Sequence, residues 1–224
     1  RDNRGQSTIQ VLNAKNGATI WIKNRNTRNG WATPAVVEHE GKVQVITTAS
    51  RPEAGNRMTP GKVISYDLEN GNVIWECSGL TDNAIPCPIV ENGVAYCMTG
   101  YQGFSLLAVP ISGKGEQSKN ILWRRELGTP YVPSPILYDG LLYFTQSNQA
   151  ILSCVDAKTG KVLMERTRLP GLSNVYASLV GAGNHLYVLG RYGKTAVLKR
   201  TGKFDLVTTN TLTDRFEASP AIVG

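Results

Sequence analysis

An all-β fold is predicted for this 224-residue chain by three features of its sequence. First, a short phrase recurs, as LNAKNGATIWI at residues 12–22, YDLENGNVIWE at 66–76 and VDAKTGKVLME at 155–165. Second, short runs rich in Val, Ile and Tyr are separated by Gly-containing turns. Third, no stretch of useful length carries apolar residues at the 3.6-residue spacing of an amphipathic helix. Short strands joined by tight turns are therefore expected throughout.

The glycines of the phrase give the period of the repeat. They are Gly17, Gly71, Gly160 and Gly202, at spacings of 54, 89 and 42 residues. The middle spacing corresponds to two repeats of roughly 44 residues, within the range of known repeat architectures. A longer version lies in that interval, at 106–126, and keeps the apolar strand and the Trp while lengthening the turn.

A second motif, an apolar segment usually centred on Pro, recurs in step with the phrase. It occupies residues 32–37, 86–90, 133–137, 177–180 and 218–223. The first four copies are followed by a turn and then by a β-rich run; the turns are Glu40-Gly41, Asn92-Gly93, Asp139-Gly140 and Gly183-Asn184. Asn-Gly or Asp-Gly between two such runs is a strong hairpin signal. Each repeat therefore contains four strands, and the phrase is the turn between the third and the fourth.

Four short antiparallel strands in every 41–54 residues are typical of a β-propeller blade. We predict one propeller domain over residues 1–224, with about five blades represented and full repeats near 31–77, 84–127, 132–168 and 175–209. Residues 8–23 supply only third and fourth strands, and 216–224 only a first strand. We therefore expect the chain to be part of a seven- or eight-bladed ring, and its open strand edges would favour self-association.

The phrase contains residues with distinct structural roles. Asp67 and Asp156 are expected to bond the turn backbone, and Gly71 and Gly160 to supply its positive φ. Bulky residues on the following strand are expected to pack between neighbouring blades; these anchors are Trp21, Trp75, Trp123 and Met164, with Leu206 in the last copy. An aromatic ligand cage is disfavoured, because residues spaced one per blade on outer strands cannot converge on one molecule.

Charge and cysteine content exclude several classes of protein. The net charge is +7, but the basic residues are scattered over strand ends and turns, so no nucleic-acid partner is expected. No apolar run approaches the length of about 18 residues that a membrane span requires, so no direct membrane insertion is expected either. The four cysteines form no Cys-x-x-Cys pair and the chain has only two His, which makes a structural zinc site improbable.

Cys87 and Cys97 flank the turn at Asn92-Gly93. If Val90 pairs with Val94, the two cysteines face each other across the hairpin. Two buried thiols are the favoured interpretation, because a disulfide directly across two strands is strained. A disulfide is the alternative, and an oxidising compartment would favour it.

These motifs together resemble the quinoprotein-like, or PQQ-like, β-propellers. Their tryptophan-docking repeat reads A-x-D-x-x-T-G-x-x-x-W, and VDAKTGKVLME and YDLENGNVIWE are close to it. Residues 80–110 and 129–160 are similar to a BamB-like bacterial branch. The resemblance implies one of two activities. Quinoprotein dehydrogenases bind pyrroloquinoline quinone and Ca²⁺ and oxidise alcohols or sugars, whereas BamB-like proteins are periplasmic scaffolds for outer-membrane protein assembly.

The residues favour a non-enzymatic scaffold over the alternative, a PQQ- and Ca²⁺-dependent dehydrogenase. The chain lacks the adjacent Cys-Cys pair that such dehydrogenases carry beside the quinone. Asp82 and Asp214 are the only plausible carboxylates near a propeller axis, and His39 and His185 are interpreted as turn residues. We therefore expect no catalytic residue, cofactor or metal site, with PQQ and Ca²⁺ required only under the alternative.

A protein partner is expected on one face of the propeller, where the loops that enter each first strand gather. Aromatic residues in these loops are the predicted contacts, since exposed aromatics are common anchors of interfaces; they are Trp31, Tyr131, Tyr176 and Phe216. The alternative is that these residues cap the blades as part of the core. The resemblance also implies a periplasmic or otherwise extracytoplasmic location.

Overall fold

The computed structural model describes residues 7–27, 30–50 and 59–223. Within these ranges every regular element is a β-strand, so the prediction of an all-β fold is confirmed. The chain divides into two compact units, residues 1–124 and 125–224.

Unit 1, residues 1–124, contains strands β1 to β11. Their bounds are β1 Ser7–Leu12, β2 Thr19–Arg25, β3 Ala35–His39, β4 Lys42–Ala49, β5 Gly61–Asp67, β6 Val73–Leu80, β7 Ile89–Glu91, β8 Val94–Thr99, β9 Ser105–Pro110, β10 Gly115–Glu116 and β11 Trp123–Arg125, which reaches the unit boundary. Sheet 1 is the pair β1-β2, sheet 2 has the order β10-β6-β5-β4-β3, and sheet 3 has the order β11-β9-β8-β7.

Unit 2, residues 125–224, contains two four-stranded sheets. Their strands are β12 Ile136–Tyr138, β13 Leu141–Thr145, β14 Ile151–Asp156, β15 Val162–Arg168, β16 Val180–Ala182, β17 His185–Leu189, β18 Lys194–Lys199 and β19 Leu206–Thr211. Sheet 4 has the order β12-β13-β14-β15, and sheet 5 has the order β16-β17-β18-β19. Consecutive strands pair antiparallel in both sheets, which is the arrangement of propeller blades.

The predicted hairpins between first and second strands are confirmed. Their flanking pairs leave two residues in each loop; the pairs are His39↔Lys42, Glu91↔Val94, Tyr138↔Leu141 and Ala182↔His185. In the first three loops both residues have positive φ, for example 50° at Asn92 and 77° at Gly93. These are type I′ values, which match the right-handed twist of the flanking strands.

The position of Pro within the first strands was predicted wrongly. Pro34, Pro88 and Pro135 each directly precede the first residue of β3, β7 and β12, and none lies within the ladder. The reason is that Pro has no N–H to donate to a neighbouring strand. The strand predicted at 218–223 is not formed in the structure, where these residues have no regular hydrogen-bonded pairing.

The phrase forms the predicted turn between third and fourth strands. The Asp67 carboxylate accepts a hydrogen bond from the Glu69 N–H at 2.8 Å, and the Gly71 N–H donates to the Asp67 carbonyl at 2.8 Å. Asp156 does the same for the N–H groups of Thr159 and Gly160. Gly71 and Gly160 both have a φ of 71°, as predicted.

Trp21 joins sheet 1 to the phrase turn of sheet 2. Its indole N–H donates to the Leu68 carbonyl at 2.8 Å. The indole ring lies on Gly71 so closely that a Cβ atom there would be 2.7 Å from Trp21 Cε3. The glycine is therefore required twice, for its positive φ and for the approach of the ring.

Trp75 reaches the phrase turn of sheet 3 through a buried glutamine. Its indole N–H donates to Gln44 Oε1 at 3.0 Å, and Gln44 Nε2 donates to the Ile111 carbonyl at 3.1 Å. Ile111 occupies the same place in its turn as Leu68 does in sheet 2. Trp75 is 0% exposed and belongs to an apolar cluster with residues of both sheets, including Cys77 and Leu107.

In unit 2 the corresponding junction uses Met164 and a tyrosine. Met164 is buried in an apolar cluster formed by sheets 4 and 5. Tyr143, which stands on β13 where Gln44 stands on β4, accepts a hydrogen bond from the Gly202 N–H at 2.9 Å. Burial raises the pKa of Tyr143 to about 12, so the hydroxyl keeps its proton. Trp123, the remaining predicted anchor, is half-buried with its ring centroid 5.9 Å from that of Tyr96.

The lengthened turn of sheet 3 covers the edge of sheet 2. Gly115 and Glu116 pair in parallel with Trp75 and Glu76, which makes β10 a fifth strand. The Ser78 N–H donates to Ser118 Oγ at 2.8 Å and extends this contact. An outer strand with unpaired backbone groups is thereby protected.

The predicted facing of Cys87 and Cys97 is wrong by one residue in register. Val90 pairs with Ala95 rather than with Val94, so Cys97 lies opposite no cysteine on β7, and Cys87 precedes that strand. Cys97 is a buried thiol, Cys87 is half-buried, and no disulfide joins them. Burial raises the pKa of Cys77 to about 11 and of Cys154 to about 12, which keeps both thiols neutral.

Replacement of Trp75 by Ala tests its role as an anchor. We expect Trp75→Ala to lower the free energy of unfolding by roughly 3–5 kcal/mol, because it removes a fully buried aromatic side chain. Trp31, which is 56% exposed, supplies the matched control, and Trp31→Ala should leave stability nearly unchanged. Urea denaturation followed by circular dichroism measures both, and equal losses would contradict the assignment.

Substitutions at two glycines distinguish the free-energy cost of a left-handed backbone from the cost of losing the Trp21 contact. Gly17 and Gly71 share a φ of 71°, but a Cβ at Gly17 meets nothing within 4 Å. Gly17→Ala should therefore cost only the left-handed strain of roughly 1–2 kcal/mol. Gly71→Ala should cost clearly more, because the methyl group displaces Trp21. Thermal melts of both variants make the comparison, and similar shifts would show that the indole contact contributes nothing.

Candidate partner-binding face

The antiparallel order of the strands places two kinds of loop at the same end of each sheet, where the first and third strands begin. The loop that enters the first strand and the loop that joins the second strand to the third both lie there, and hydrogen bonds connect them. The Tyr131 N–H donates to the Ser147 carbonyl at 3.1 Å, and Thr81 Oγ1 donates to the Gly103 carbonyl at 3.3 Å. We call the surface formed by these loops, at this end of the strands in each unit, the loop face of the unit.

In unit 1 the loop face exposes two aromatic residues. Trp31 is 56% exposed, although its backbone is fixed by an N–H donation to the Ala84 carbonyl at 3.0 Å. Tyr101, which sequence analysis did not select, is 50% exposed in the loop between β8 and β9. Both side chains are therefore available for contact from ordered loops.

In unit 2 the predicted contact residues Tyr131, Tyr176 and Phe216 are all half-buried. Tyr176 and Phe216 meet at Arg191, in the loop between β17 and β18. The interpretation as partner contacts stays a prediction for these three residues and for Trp31. Part of the surface of each of these three residues therefore remains accessible to solvent.

Arg191 organises the loop face of unit 2. Its guanidinium lies 4.7 Å from the centroid of the Tyr176 ring, in a cation–π contact, and pairs with the Glu217 carboxylate. Its N–H donates to the Asn174 carbonyl at 2.7 Å, and its own carbonyl accepts from the Phe216 N–H at 2.9 Å. One arginine thus fixes two entry loops and the side chains that they carry.

A second cation–π pair lies beside this cluster. Arg215 is 5.4 Å from the ring centroid of Tyr192, and Tyr192 is 53% exposed. Sequence analysis missed Tyr101, Tyr192 and both arginines because it considered only the aromatic residues of the entry loops. A signal was present, since Gly100-Tyr-Gln-Gly103 and Gly190-Arg-Tyr-Gly193 place a Gly-flanked Tyr in corresponding loops.

Each titratable residue considered for the alternative lies in a loop or at a hairpin turn. Asp82 is half-buried and Asp214 is exposed, where its carboxylate accepts from the Arg215 N–H at 2.7 Å. His39 and His185 are half-buried and lie at hairpin turns. Over the ranges that the structure covers, no three His, Cys, Asp or Glu side chains form a group that could hold a metal ion.

Comparison with known proteins assigns the chain to a family. A family model described as outer membrane protein assembly factor BamB matches residues 2–166, well over half of the sequence. The chain belongs to this family. The same segment contains the phrase at 12–22, 66–76 and 155–165, and also the lengthened turn of sheet 3.

Solved structures similar to this BamB-family chain confirm the β-propeller fold. BamB from Moraxella catarrhalis has a TM-score of 0.50 at 14% identity, over 96% of this chain and 73% of that one. Quinohemoprotein alcohol dehydrogenase from Comamonas testosteroni has a TM-score of 0.60 at 15% identity, over 92% and 40%. Both kinds of protein share the fold, so the fold does not choose between scaffold and enzyme.

Two curated relatives carry a third description. Tetrathionate hydrolase of Acidithiobacillus ferrooxidans is 25% identical over 174 residues, which cover 69% of this chain and 32% of the relative. Tetrathionate hydrolase of Acidianus ambivalens is 22% identical over 152 residues, or 58% and 28%. The chain spans about a third of the length of these relatives.

No helix in the described part of the chain is long and apolar enough to cross a membrane.

Proposed function

We propose that this BamB-family propeller is a non-enzymatic scaffold that binds a protein partner through its loop face. The observation that carries the proposal is the ordered cluster of Tyr176, Arg191, Tyr192 and Arg215 in unit 2. Tyr and Arg are enriched among the residues that dominate the energy of protein interfaces. In unit 2 the Tyr and Arg residues of this cluster lie on the loop face, in loops that hydrogen-bond to one another.

The contacts of Arg191 favour binding because they fix the surface before a partner arrives. Its guanidinium is held by Tyr176 and Glu217, and its backbone is held by Asn174 and Phe216. A preorganised surface loses less conformational entropy on association than a mobile one. Tyr192 projects beside this fixed cluster and is half exposed, which makes it the expected anchor.

We further propose that the protein works outside the cytoplasm without a quinone cofactor. Membership of the BamB family supports the location. The absence of adjacent cysteines in the sequence, and the dispersed carboxylates of the described residues, support a function that needs neither PQQ nor Ca²⁺. The partner in this proposal is a component of the cell envelope.

A photo-crosslinking residue at position 192 tests the scaffold function. Placed in the full-length protein in its native cells, it should yield one defined protein adduct. Arg191→Ala should weaken that adduct strongly, because hot-spot residues contribute about 2 kcal/mol or more to binding. The adduct is read out by gel shift and mass spectrometry.

The matched control is the same photo-crosslinking residue at Lys158. This lysine is exposed in the phrase turn of sheet 4, at the end of the strands opposite the loop face. It should give no adduct with that protein. Equal adducts from positions 192 and 158, or an adduct at 192 that Arg191→Ala leaves unchanged, would contradict a role for the loop face.

Hydrolysis of tetrathionate is the second candidate function, and the two curated relatives are the observation that favours it. The aligned region is only about a third of each relative, so the reaction need not reside in the shared segment. The candidate differs from the scaffold in that it predicts turnover of a small sulfur compound by the purified protein.

Direct assays decide between the scaffold and the two enzymatic alternatives. We expect the full-length protein to leave tetrathionate unconsumed over the uncatalysed background, as measured by ion chromatography. We also expect no stoichiometric binding of PQQ with Ca²⁺ and no dye-linked oxidation of alcohols or aldoses. Turnover in either assay would replace the scaffold with the corresponding enzyme.

A further inference from the structure

A groove of about 450 Å³ separates sheet 1 from sheet 2 within unit 1. One wall is formed by β2 and the residues after it, and the other by β5, its phrase turn and β6. The volume is in the range of small-molecule sites, which is roughly 300–1,000 Å³. This groove is distinct from the loop face and is lined by other residues.

Three cationic side chains line the groove, two from β2 and one from β5. Along β2, Trp21, Lys23 and Arg25 are half-buried while the residues between them are exposed, so these three side chains share the face toward sheet 2. Lys62 contributes a third positive charge from β5. Among the described residues that line the groove, Glu76 is the one acidic side chain. The lining therefore carries an excess of positive charge.

The cations are positioned by neighbouring polar groups. Arg25 Nε donates to the Tyr66 hydroxyl at 3.0 Å, its Nη2 donates to Thr47 Oγ1 at 2.9 Å, and its guanidinium lies 5.7 Å from the Tyr66 ring centroid. Lys62 Nζ forms an ion pair with Glu76 at 2.6 Å. The arginine is thus fixed by hydrogen bonds, and the lysine is held at the wall by one carboxylate.

Packing between sheets does not require these charges. At the junction of sheets 2 and 3, the phrase alignment places Cys77 where Lys23 stands, Gly79 where Arg25 stands and Ser105 where Lys62 stands. Cys77 and Ser105 are buried, and a Cβ at Gly79 would lie 3.2 Å from Leu107. A junction closed by small side chains is therefore available to this fold, whereas partly desolvated cations carry a free-energy cost.

A hydroxyl in the groove adds a polar group that can act in recognition. Thr27 Oγ1 is buried and has no hydrogen-bond partner in the described part of the chain. Buried polar atoms are nearly always satisfied, so this hydroxyl is a candidate to hydrogen-bond a ligand in the groove.

We propose that this groove binds a small molecule through a phosphate- or sulfate-type oxyanion. Arg25 supplies a planar fork for the oxyanion, and Lys23 and Lys62 supply point charges on opposite walls. Glu76 keeps Lys62 at the wall in the free protein and competes with the ligand for it. The inference does not rest on the scaffold function, because it concerns a different surface and a different class of ligand.

Calorimetric titration of the full-length protein with pyrophosphate, phosphate and sulfate at low salt tests the groove. We expect one site per chain. Lys23→Gln and Lys62→Gln should each weaken binding by about tenfold, the scale of one lost charge contact. Glu76→Gln should tighten binding severalfold, because it removes the competing carboxylate. A comparison with a lysine far from the groove then distinguishes a local site from general attraction to a basic protein, because general attraction depends only on net charge.

Lys161→Gln is the matched control, since it removes the same charge from an exposed position in unit 2 and should leave affinity unchanged. Vesicles with phosphatidylglycerol distinguish a lipid headgroup from a soluble ligand: vesicle binding that pyrophosphate displaces would assign the headgroup. The absence of binding to every probe, or equal losses in Lys62→Gln and Lys161→Gln, would overturn the proposal. Melting curves of each variant verify that the fold is intact.

Discussion

The contact between a phrase turn and the preceding sheet is the interaction on which the structure depends. At the junction of sheets 1 and 2 the Trp21 indole N–H reaches the Leu68 carbonyl, and the ring lies on Gly71. At the next junction the carbonyl of Ile111, in the corresponding position, is reached by Gln44. A four-stranded sheet alone buries too little apolar surface to be stable, so each sheet relies on its neighbour to cover a face.

The same contact is achieved with different side chains. Trp21 donates directly to its turn, whereas Trp75 is fully buried and acts through Gln44, which accepts from both Trp75 Nε1 and Ser65 Oγ. In unit 2 the second strand provides Tyr143, whose hydroxyl accepts from the Gly202 N–H. What is retained is a polar group on the preceding sheet that satisfies the turn backbone, because an unsatisfied buried backbone group would be costly.

In each sheet, one end of the strands carries the phrase turns that pack against the neighbouring sheet. The opposite end of the strands carries the loop face. Phrase turns use glycines such as Gly71 and carbonyls such as that of Leu68 to join sheets, so they tolerate little change. The loop face carries the exposed aromatics and the Arg191 cluster. The groove beside Arg25 follows the same logic, since it opens where a junction departs from close packing. Rigid sheets thus position loops and side chains for binding.

The sequence by itself determined the strand order, the two-residue hairpins at Asn92-Gly93 and Asp139-Gly140, and the geometry of the phrase turns. These are local features, set by backbone φ preferences and by hydrogen bonds within a few residues. The predicted pairing of Val90 with Val94 was wrong, because it leaves three residues in a loop that Asn92-Gly93 forms with two. Only the tertiary structure brought Gln44 to Trp75, Arg191 to Tyr176, and Lys62 to the wall opposite Lys23. These contacts join residues far apart in sequence, and their geometry exists only when separate loops and sheets are packed together.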